Sequence, residues 1–292
     1  MKENISNKGS CILRIQGVYE FLKAAEKRVA DYVLQHTEEV IDLTIEELAV
    51  ASSSSYATIT RLCKKVGYTG YKDFKSSLIN DVIMNRGVDD LIYTMSITTD
   101  TSTESIAEKI YNLATSVLED SYKIMDSAVI DAAVEKILNA GSICFIGAGY
   151  SGISARYAYS KFFRIGIPCY SELDSTIYRM KISIMTEKDV LFAISSSGRT
   201  SNIIEAVRLA KKSNVSVISL SDFAISPLTK ISDLNLYTTP RNANLFMNID
   251  MPLIIGQFAI IDVLYSCCCV RLADKASISY EKTKASADTE KI

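Results

Sequence analysis

Apolar residues recur at three- and four-residue spacing from Val18 to Leu34, through Phe21, Leu22, Ala25, Val29, Tyr32 and Val33, which predicts one amphipathic helix. After a short connection through His36 and Thr37, two further helices are expected over Thr44–Ser52 and Ser55–Val66, and a fourth from Tyr71. The stretch Gly87–Ser105 is rich in Ser, Thr and Asp and poor in periodic apolar positions, so it reads as a linker. Helical periodicity returns from Glu104 to Leu138. From Ser142 the pattern changes kind: the β-rich runs SICFIG, IPCYS, DVLFAI, VSVISL and LNLYT alternate with amphipathic stretches such as Asn202–Lys212. Alternation of this type predicts a doubly wound α/β domain with a five-stranded parallel sheet, its ligand crevice at the carboxyl ends of the strands. The expected organisation is an all-α domain over 1–86, a linker over 87–104 and the α/β domain over 105–292.

Within the first domain, Thr44-Ile45-Glu46-Glu47 is a capping box, in which hydroxyl and carboxylate each satisfy a backbone N–H of the first turn. Ser55 suits the N-cap of the following helix and Gly67 its left-handed stop. Two short helices this close together are a helix-turn-helix pattern. On the second of them, Ile59, Leu62, Cys63 and Val66 form one apolar stripe, leaving Ala57, Thr58, Thr60, Arg61 and Lys64 toward the other face. Arg can pair with guanine in the major groove and Thr can bond bases or touch a thymine methyl. Ser55, Tyr56, Lys65 and Lys72 are candidate phosphate contacts.

Charge sharpens this reading. The chain as a whole has a formal net charge of −2, which gives no global attraction to nucleic acid. Between Ser54 and Arg86, however, Arg61, Lys64, Lys65, Lys72, Lys75 and Arg86 stand against Asp73 and Asp81, a local net charge of +4. A basic patch thus falls where contact with double-stranded DNA needs it.

Other classes are disfavoured. The first ten residues carry Lys2, Glu3 and Lys8 without an apolar core, so they do not read as a secretory signal and a cytoplasmic location is expected. The 7 cysteines show no C-x-x-C spacing, and no metal site is expected. Met251–Val270 is nearly long enough to cross a bilayer, but Gln257 and Asp262 interrupt it, so a buried helix is expected and no membrane association.

Two loops carry the chemistry of the second domain. Gly147-Ala148-Gly149-Tyr150-Ser151-Gly152 follows one predicted strand and opens a helix; its glycines permit a sharp turn and close approach to an anion at the helix N-terminus. Ser195-Ser196-Ser197-Gly198-Arg199-Thr200 does the same after another strand. Gly149, Ser151, Ser195, Ser197, Gly198 and Thr200 are the candidate phosphate ligands, and Glu172, Asp174 and Arg199 are candidate contacts to the rest of the ligand. The first loop is also a full G-x-G-x-x-G with Glu172 and Asp174 about twenty residues beyond it, the pattern of a dinucleotide site. The second, serine-rich loop suits a phosphomonoester better than a pyrophosphate.

The stretches EKRVADYVL, LTIEELA and SYATITRLCKKVGYTGYKDFK resemble the N-terminal domain of the RpiR/MurR family of bacterial regulators. Ser53 and Ser54 stand where that family usually has a Gly and an apolar residue. IGAGYSGISARYAYSKFFRIG and ISSSGRTSNIIEAVRLAK resemble the SIS, or sugar isomerase, domain, whose two loops bind the phosphate of a sugar phosphate. That resemblance assigns phosphate contacts to Ser151, Ser195, Ser197 and Thr200, and Arg199 departs from the acidic residue common at its position. It implies a transcription regulator that binds operator DNA as a homodimer or homotetramer under control of a sugar-phosphate effector. The helices at Ser105–Leu118 and Ile249–Val270 are candidate subunit contacts.

SIS domains also occur in isomerases and lyases, which need an acid–base pair. The 1 histidine, His36, lies in the helical half, and Glu172, Asp174 and Glu205 are the carboxylates near the expected crevice. Without an assigned pair, a sensor without catalysis or cofactor is the expectation, with a phosphosugar isomerase or lyase and a nucleotide-binding domain as alternatives.

Overall fold

The computed structural model describes residues 11–85, 97, 101–239, 242–246, 249–252 and 254–288. The chain forms two compact units, one of Met1–Ile124 with Phe223–Ile225 and Asn242–Met251, the other of Met125–Asp222, Ser226–Arg241 and Pro252–Ile292.

The first unit is built from helices α1 (Cys11–Val18), α2 (Ala24–Gln35), α3 (Thr37–Val40), α4 (Ile45–Ala51), α5 (Tyr56–Lys65), α6 (Tyr71–Asn85) and α7 (Thr103–Ile124). The single helix expected over Val18–Leu34 is corrected to two, separated by a 3-10 turn at Tyr19–Phe21. Lys23 takes an extended backbone, and its N–H is bound by the Glu26 carboxylate at 2.8 Å, which starts α2 afresh. The apolar periodicity runs through the break because both sides face one core, formed by Ile15, Val29, Val33, Leu48, Ile59, Leu62, Phe74 and Leu78. Arg86 and most of 87–104 lie outside the described residues. Helix α7, assigned from sequence to the second domain, clusters with the first unit.

The second unit comprises α8 (Ser127–Leu138), β1 (Ile143–Gly147), α9 (Tyr150–Phe162), β2 (Cys169–Ser171), α10 (Ser175–Ser183), β3 (Val190–Ile194), α11 (Ser201–Lys212), β4 (Ser216–Asp222) and β5 (Leu234–Thr238). These five strands form one parallel sheet in the order β2-β1-β3-β4-β5. Successive side chains alternate between two cores, as the pleat requires. Phe145, Phe192, Ile194, Ile218, Leu220 and Leu236 pack on one face with Ile137, Phe162, Ile261 and Leu264. Cys144, Ile146, Leu191, Ala193 and Val217 pack on the other with Tyr178, Ile203 and Val207.

The helix expected over Ile249–Val270 begins later. Strands β6 (Asn242–Phe246) and β7 (Ile249–Pro252) form a separate two-stranded sheet, and the helix α12 (Ile255–Leu272) starts only after Pro252, which cannot donate to a helical ladder. Helix α13 (Asp274–Asp288) closes the described chain.

Candidate functional site

The helix-turn-helix is assembled by its caps. Thr44 Oγ1 accepts from Glu47 N–H at 3.2 Å while the Glu47 carboxylate accepts from Thr44 N–H at 2.7 Å, and Ser55 Oγ accepts from Thr58 N–H at 3.3 Å to start α5. Between them Ser53 sits in the left-handed region at φ +47°, a strain of about 1 kcal/mol for a residue with a Cβ. Ser54, where an apolar residue is usual, instead donates its hydroxyl to Ala25 O at 3.2 Å and ties the turn to α2.

On α5, Ser55, Tyr56, Ala57, Arg61, Lys64 and Lys65 are exposed, as is Lys72 on α6, and Thr60 is half-buried. Two expectations change. Thr58 is buried: its hydroxyl lies 2.9 Å from Ser55 Oγ and accepts from Arg61 Nη2 at 3.3 Å, so it holds the arginine and presents nothing to a base. Its position in the first turn turns it inward beside Ile59. Lys65 is engaged with Glu26 at 2.6 Å, which neutralises the charge expected to meet a phosphate. Burial drives the Glu26 carboxyl up, but Lys65 and the Lys23 N–H outweigh it and hold it below the ordinary range. Arg61 Nε also donates to Ala57 O at 3.2 Å, so the guanidinium is laid back along the N-terminal turns of α5. Of the candidate phosphate contacts, Lys72 carries the remaining exposed charge, and Lys64 adds another on the outward face of α5.

In the second unit the two loops leave adjacent strands at the same level, since Gly147 is the register partner of Ile194. The chain runs from β1 to one side toward β2, while β3, β4 and β5 lie on the other, so the loops flank the switch point where ligands of open α/β sheets bind. Gly149 caps α9 at φ +56°, and Gly147 is held by contact, because a Cβ there would lie 2.3 Å from Ser151 O. Gly198 meets both demands, with φ +60° and a Cβ position 2.1 Å from Ser226 Oγ. Ser151 is buried in the first turn of α9.

Thr200 is the N-cap of α11 but makes no side-chain cap bond; its hydroxyl lies 3.0 Å from that of Ser195, which is 3 % exposed. Arg199 N–H donates to Ser197 Oγ at 3.2 Å. Three hydroxyls thus gather at the N-terminus of a helix, whose unpaired N–H groups favour an anion.

The carboxylates expected near the crevice are occupied locally. Glu172 accepts from the N–H groups of Leu173 and Asp174, Asp174 caps α10 through Thr176 N–H at 2.8 Å, and exposed Glu205 pairs with Arg179 at 3.5 Å. His36 stacks on Tyr32 with ring centroids 4.5 Å apart, at the end of α2.

Two features escaped the sequence reading. Asp222, at the carboxyl end of β4, is pushed up to about 7 by burial, and the Thr238 hydroxyl that donates to it at 3.2 Å pulls the other way. A carboxylate ending a buried interior strand was the available signal. Gln257, noticed only as an interruption of an apolar run, is 2 % exposed and bridges Ser154 and Ser196.

Comparison with known proteins decides the family. The helix-turn-helix domain of the rpiR family matches residues 10–84, and the SIS domain matches residues 136–264. The HTH-type transcriptional regulator YbbH of Bacillus subtilis is 30% identical over 280 residues, covering 95% of this chain and 97% of that protein. The chain belongs to the rpiR family. This rpiR-family regulator is also 31% identical over 252 residues to the HTH-type transcriptional regulator HexR of Pseudomonas aeruginosa, covering 86% of each. Among solved structures, the Vibrio vulnificus NanR protein complexed with ManNAc-6P matches with a TM-score of 0.57 and 28% identity, over 97% of this chain and 99% of that one. The sugar isomerase domain of an RpiR transcription factor from Sphaerobacter thermophilus, at 18% identity and a TM-score of 0.57, shares the fold over 62% of this chain and 98% of its own.

Proposed function

We propose that this rpiR-family protein is a bacterial, cytoplasmic regulator whose affinity for operator DNA is set by a sugar phosphate. The effector's phosphate is held by Ser151, Ser195, Ser197 and Thr200, with Gly149 and Gly198 shaping the approach and Arg199, Glu172 and Asp174 near the sugar. The observation that carries this reading is the Gly147–Ile194 register, which sets two anion-suited loops side by side at the switch point. The NanR relative, solved with ManNAc-6P, supports a phosphorylated sugar as the ligand class.

A sensor is favoured over an enzyme because the relatives matched over most of the chain are HTH-type transcriptional regulators. Glu172, Asp174 and Glu205 are committed to caps, turns or an ion pair, His36 belongs to the first unit, and Asp222 is the one strand-end carboxyl left among the described residues, bonded by Thr238. Operator contact falls to Arg61, Thr60, Lys64, Ser55 and Tyr56 on or beside α5 and to Lys72 on α6. Two-fold symmetry would match a palindromic operator. Helix α7 exposes Tyr111 and Tyr122 at 76% and 74%, which supports it as a subunit contact. The test is a gel-shift titration on the DNA upstream of the gene with a panel of sugar phosphates. One member should change operator affinity, and none should be turned over. If no member changes affinity while the protein still binds DNA, the effector reading fails; turnover restores the isomerase alternative.

A further inference from the structure

Ser151 and the serine loop belong to different elements, and one buried side chain fastens both. Gln257 lies in the first turn of α12, where its amide has a partner at each end: Ser154 O–H donates to Oε1 at 2.6 Å, and Nε2 donates to Ser196 Oγ at 2.9 Å. Ser154 is fully buried three residues beyond Ser151 on the same helix, α9. Ser196 stands between Ser195 and Ser197, and its carbonyl accepts from Asp222 N–H at 2.9 Å, so the residue is pinned by side chain and backbone together. A Gln amide offers a donor and an acceptor on one group, and that is what two hydroxyls on separate elements require.

A second polar rung fixes where Gln257 itself stands. Tyr157 O–H donates to Asp262 Oδ1 at 2.8 Å, Lys161 pairs with the same carboxylate, and the Tyr157 and Phe258 rings lie 4.5 Å apart. Helices α9 and α12 are therefore registered at two levels, and the upper level extends into the serine loop.

We propose that Gln257 is a positioning residue of the anion site, holding the Ser151 helix and the Ser195–Ser197 loop at the separation that grips a phosphate group. The inference rests on the reading of those loops as the phosphate site. Gln257 touches no ligand in this scheme. Ser196 Oγ is committed as the acceptor of the Gln257 Nε2–H bond, which leaves the hydroxyls of Ser195 and Ser197 as the ones offered to the anion.

Binding of inorganic phosphate to the full-length protein, measured by calorimetry, tests both layers. Gln257→Leu keeps the volume and removes both bonds; it should weaken phosphate by about tenfold with native circular dichroism, as expected for lost positioning hydrogen bonds. Ser196→Ala should weaken it similarly, Ser196→Thr, which keeps the hydroxyl, should restore it, and the Gln257→Leu/Ser196→Ala double variant should be no weaker than Gln257→Leu alone. A role in packing alone predicts no rescue by Ser196→Thr. Where Gln257→Leu fails to fold, Ser154→Ala and Ser196→Ala decide, each removing one bond. If the variants that fold bind phosphate within about twofold of wild type while Ser197→Ala loses it, the proposal is overturned and the site reading survives. If Ser197→Ala binds as well as wild type, or wild type does not bind, the site reading falls and the proposal falls with it.

Discussion

The hydroxyls of Ser195 and Thr200 stand 3.0 Å apart across the turn that opens α11. Thr200 occupies the N-cap yet leaves the helix N–H groups unbonded by its side chain, unlike Ser55 on α5. An N-cap hydroxyl that turns from its own helix toward a neighbouring serine is arranged for a shared acceptor. Ser197→Ala and Thr200→Val should each weaken the sugar-phosphate effector by about ten- to a hundredfold, the worth of one hydrogen bond to a charged group. Effector-free operator binding should stay within about twofold, because the change is confined to the second unit. Parallel effector calorimetry and gel shifts check this; equal loss of both activities would indicate misfolding and defeat the assignment.

Arg61 leads the residues proposed to face DNA, and the Thr58 hydroxyl accepts from its Nη2. Arg61→Ala should reduce operator affinity by about 1–3 kcal/mol and relax preference at one base pair, if the guanidinium reads a guanine. Thr58→Val removes the hydroxyl that accepts from Arg61 Nη2 without changing volume, so a smaller loss in the same direction is expected. Selection of binding sites from a randomised operator would show it. An unchanged base preference in Arg61→Ala would assign the arginine to the phosphate backbone.

Three glycines of the loops should respond unequally to alanine. Gly147→Ala places a Cβ 2.3 Å from Ser151 O, which is backbone and cannot step aside. A cost of about 3 kcal/mol is expected, at the upper end for overpacking. Gly198→Ala meets both Ser226 Oγ and Ser226 Cβ, and rotating that buried serine moves only the oxygen, so a clash at 2.6 Å remains on top of the left-handed strain at φ +60°. Gly149→Ala opens onto free space and bears only backbone strain, about 1–3 kcal/mol, because φ +56° with ψ −129° lies outside the left-handed helical basin in a region that glycine alone adopts readily. Urea unfolding should therefore set Gly147→Ala and Gly198→Ala apart as the damaging pair, with Gly149→Ala the mildest of the three.

Much of this was legible in the sequence because the relevant signals are local. The five strands follow from short β-rich runs alternating with amphipathic helical stretches, and the capping box at Thr44–Glu47 and the Ser55 cap from first-turn chemistry. The break at Lys23 was hidden because α1 and α2 feed one core, so the apolar spacing never lapses. Thr58 was misplaced because the helical face was drawn from the apolar residues alone, and a threonine bonded to its own N-cap joins the buried side. The Lys65–Glu26 and Gln257–Ser196 pairs span 39 and 61 residues, separations that no periodicity reports.

Asp222 gives the chain a titration near neutrality. Its ordinary carboxyl value is 3.8, which burial raises to about 7 in the folded protein. The folded state therefore holds a proton that the unfolded state has released between those values, so stability falls as pH rises through that window. Below about pH 4 both states are protonated and the effect vanishes; above about pH 7 both are ionised and the full penalty applies. Asp222→Asn keeps an acceptor for the Thr238 hydroxyl and cannot ionise. It should match wild type in urea unfolding at about pH 4 and exceed it at about pH 8, by up to a few kcal/mol. The opposite dependence would come from a carboxyl held below its ordinary value, as at Glu26, whose contribution is lost on acidification, so the two sites separate cleanly by direction. A wild-type pH profile that Asp222→Asn leaves unchanged would show that the group ionises in the folded protein with ordinary ease.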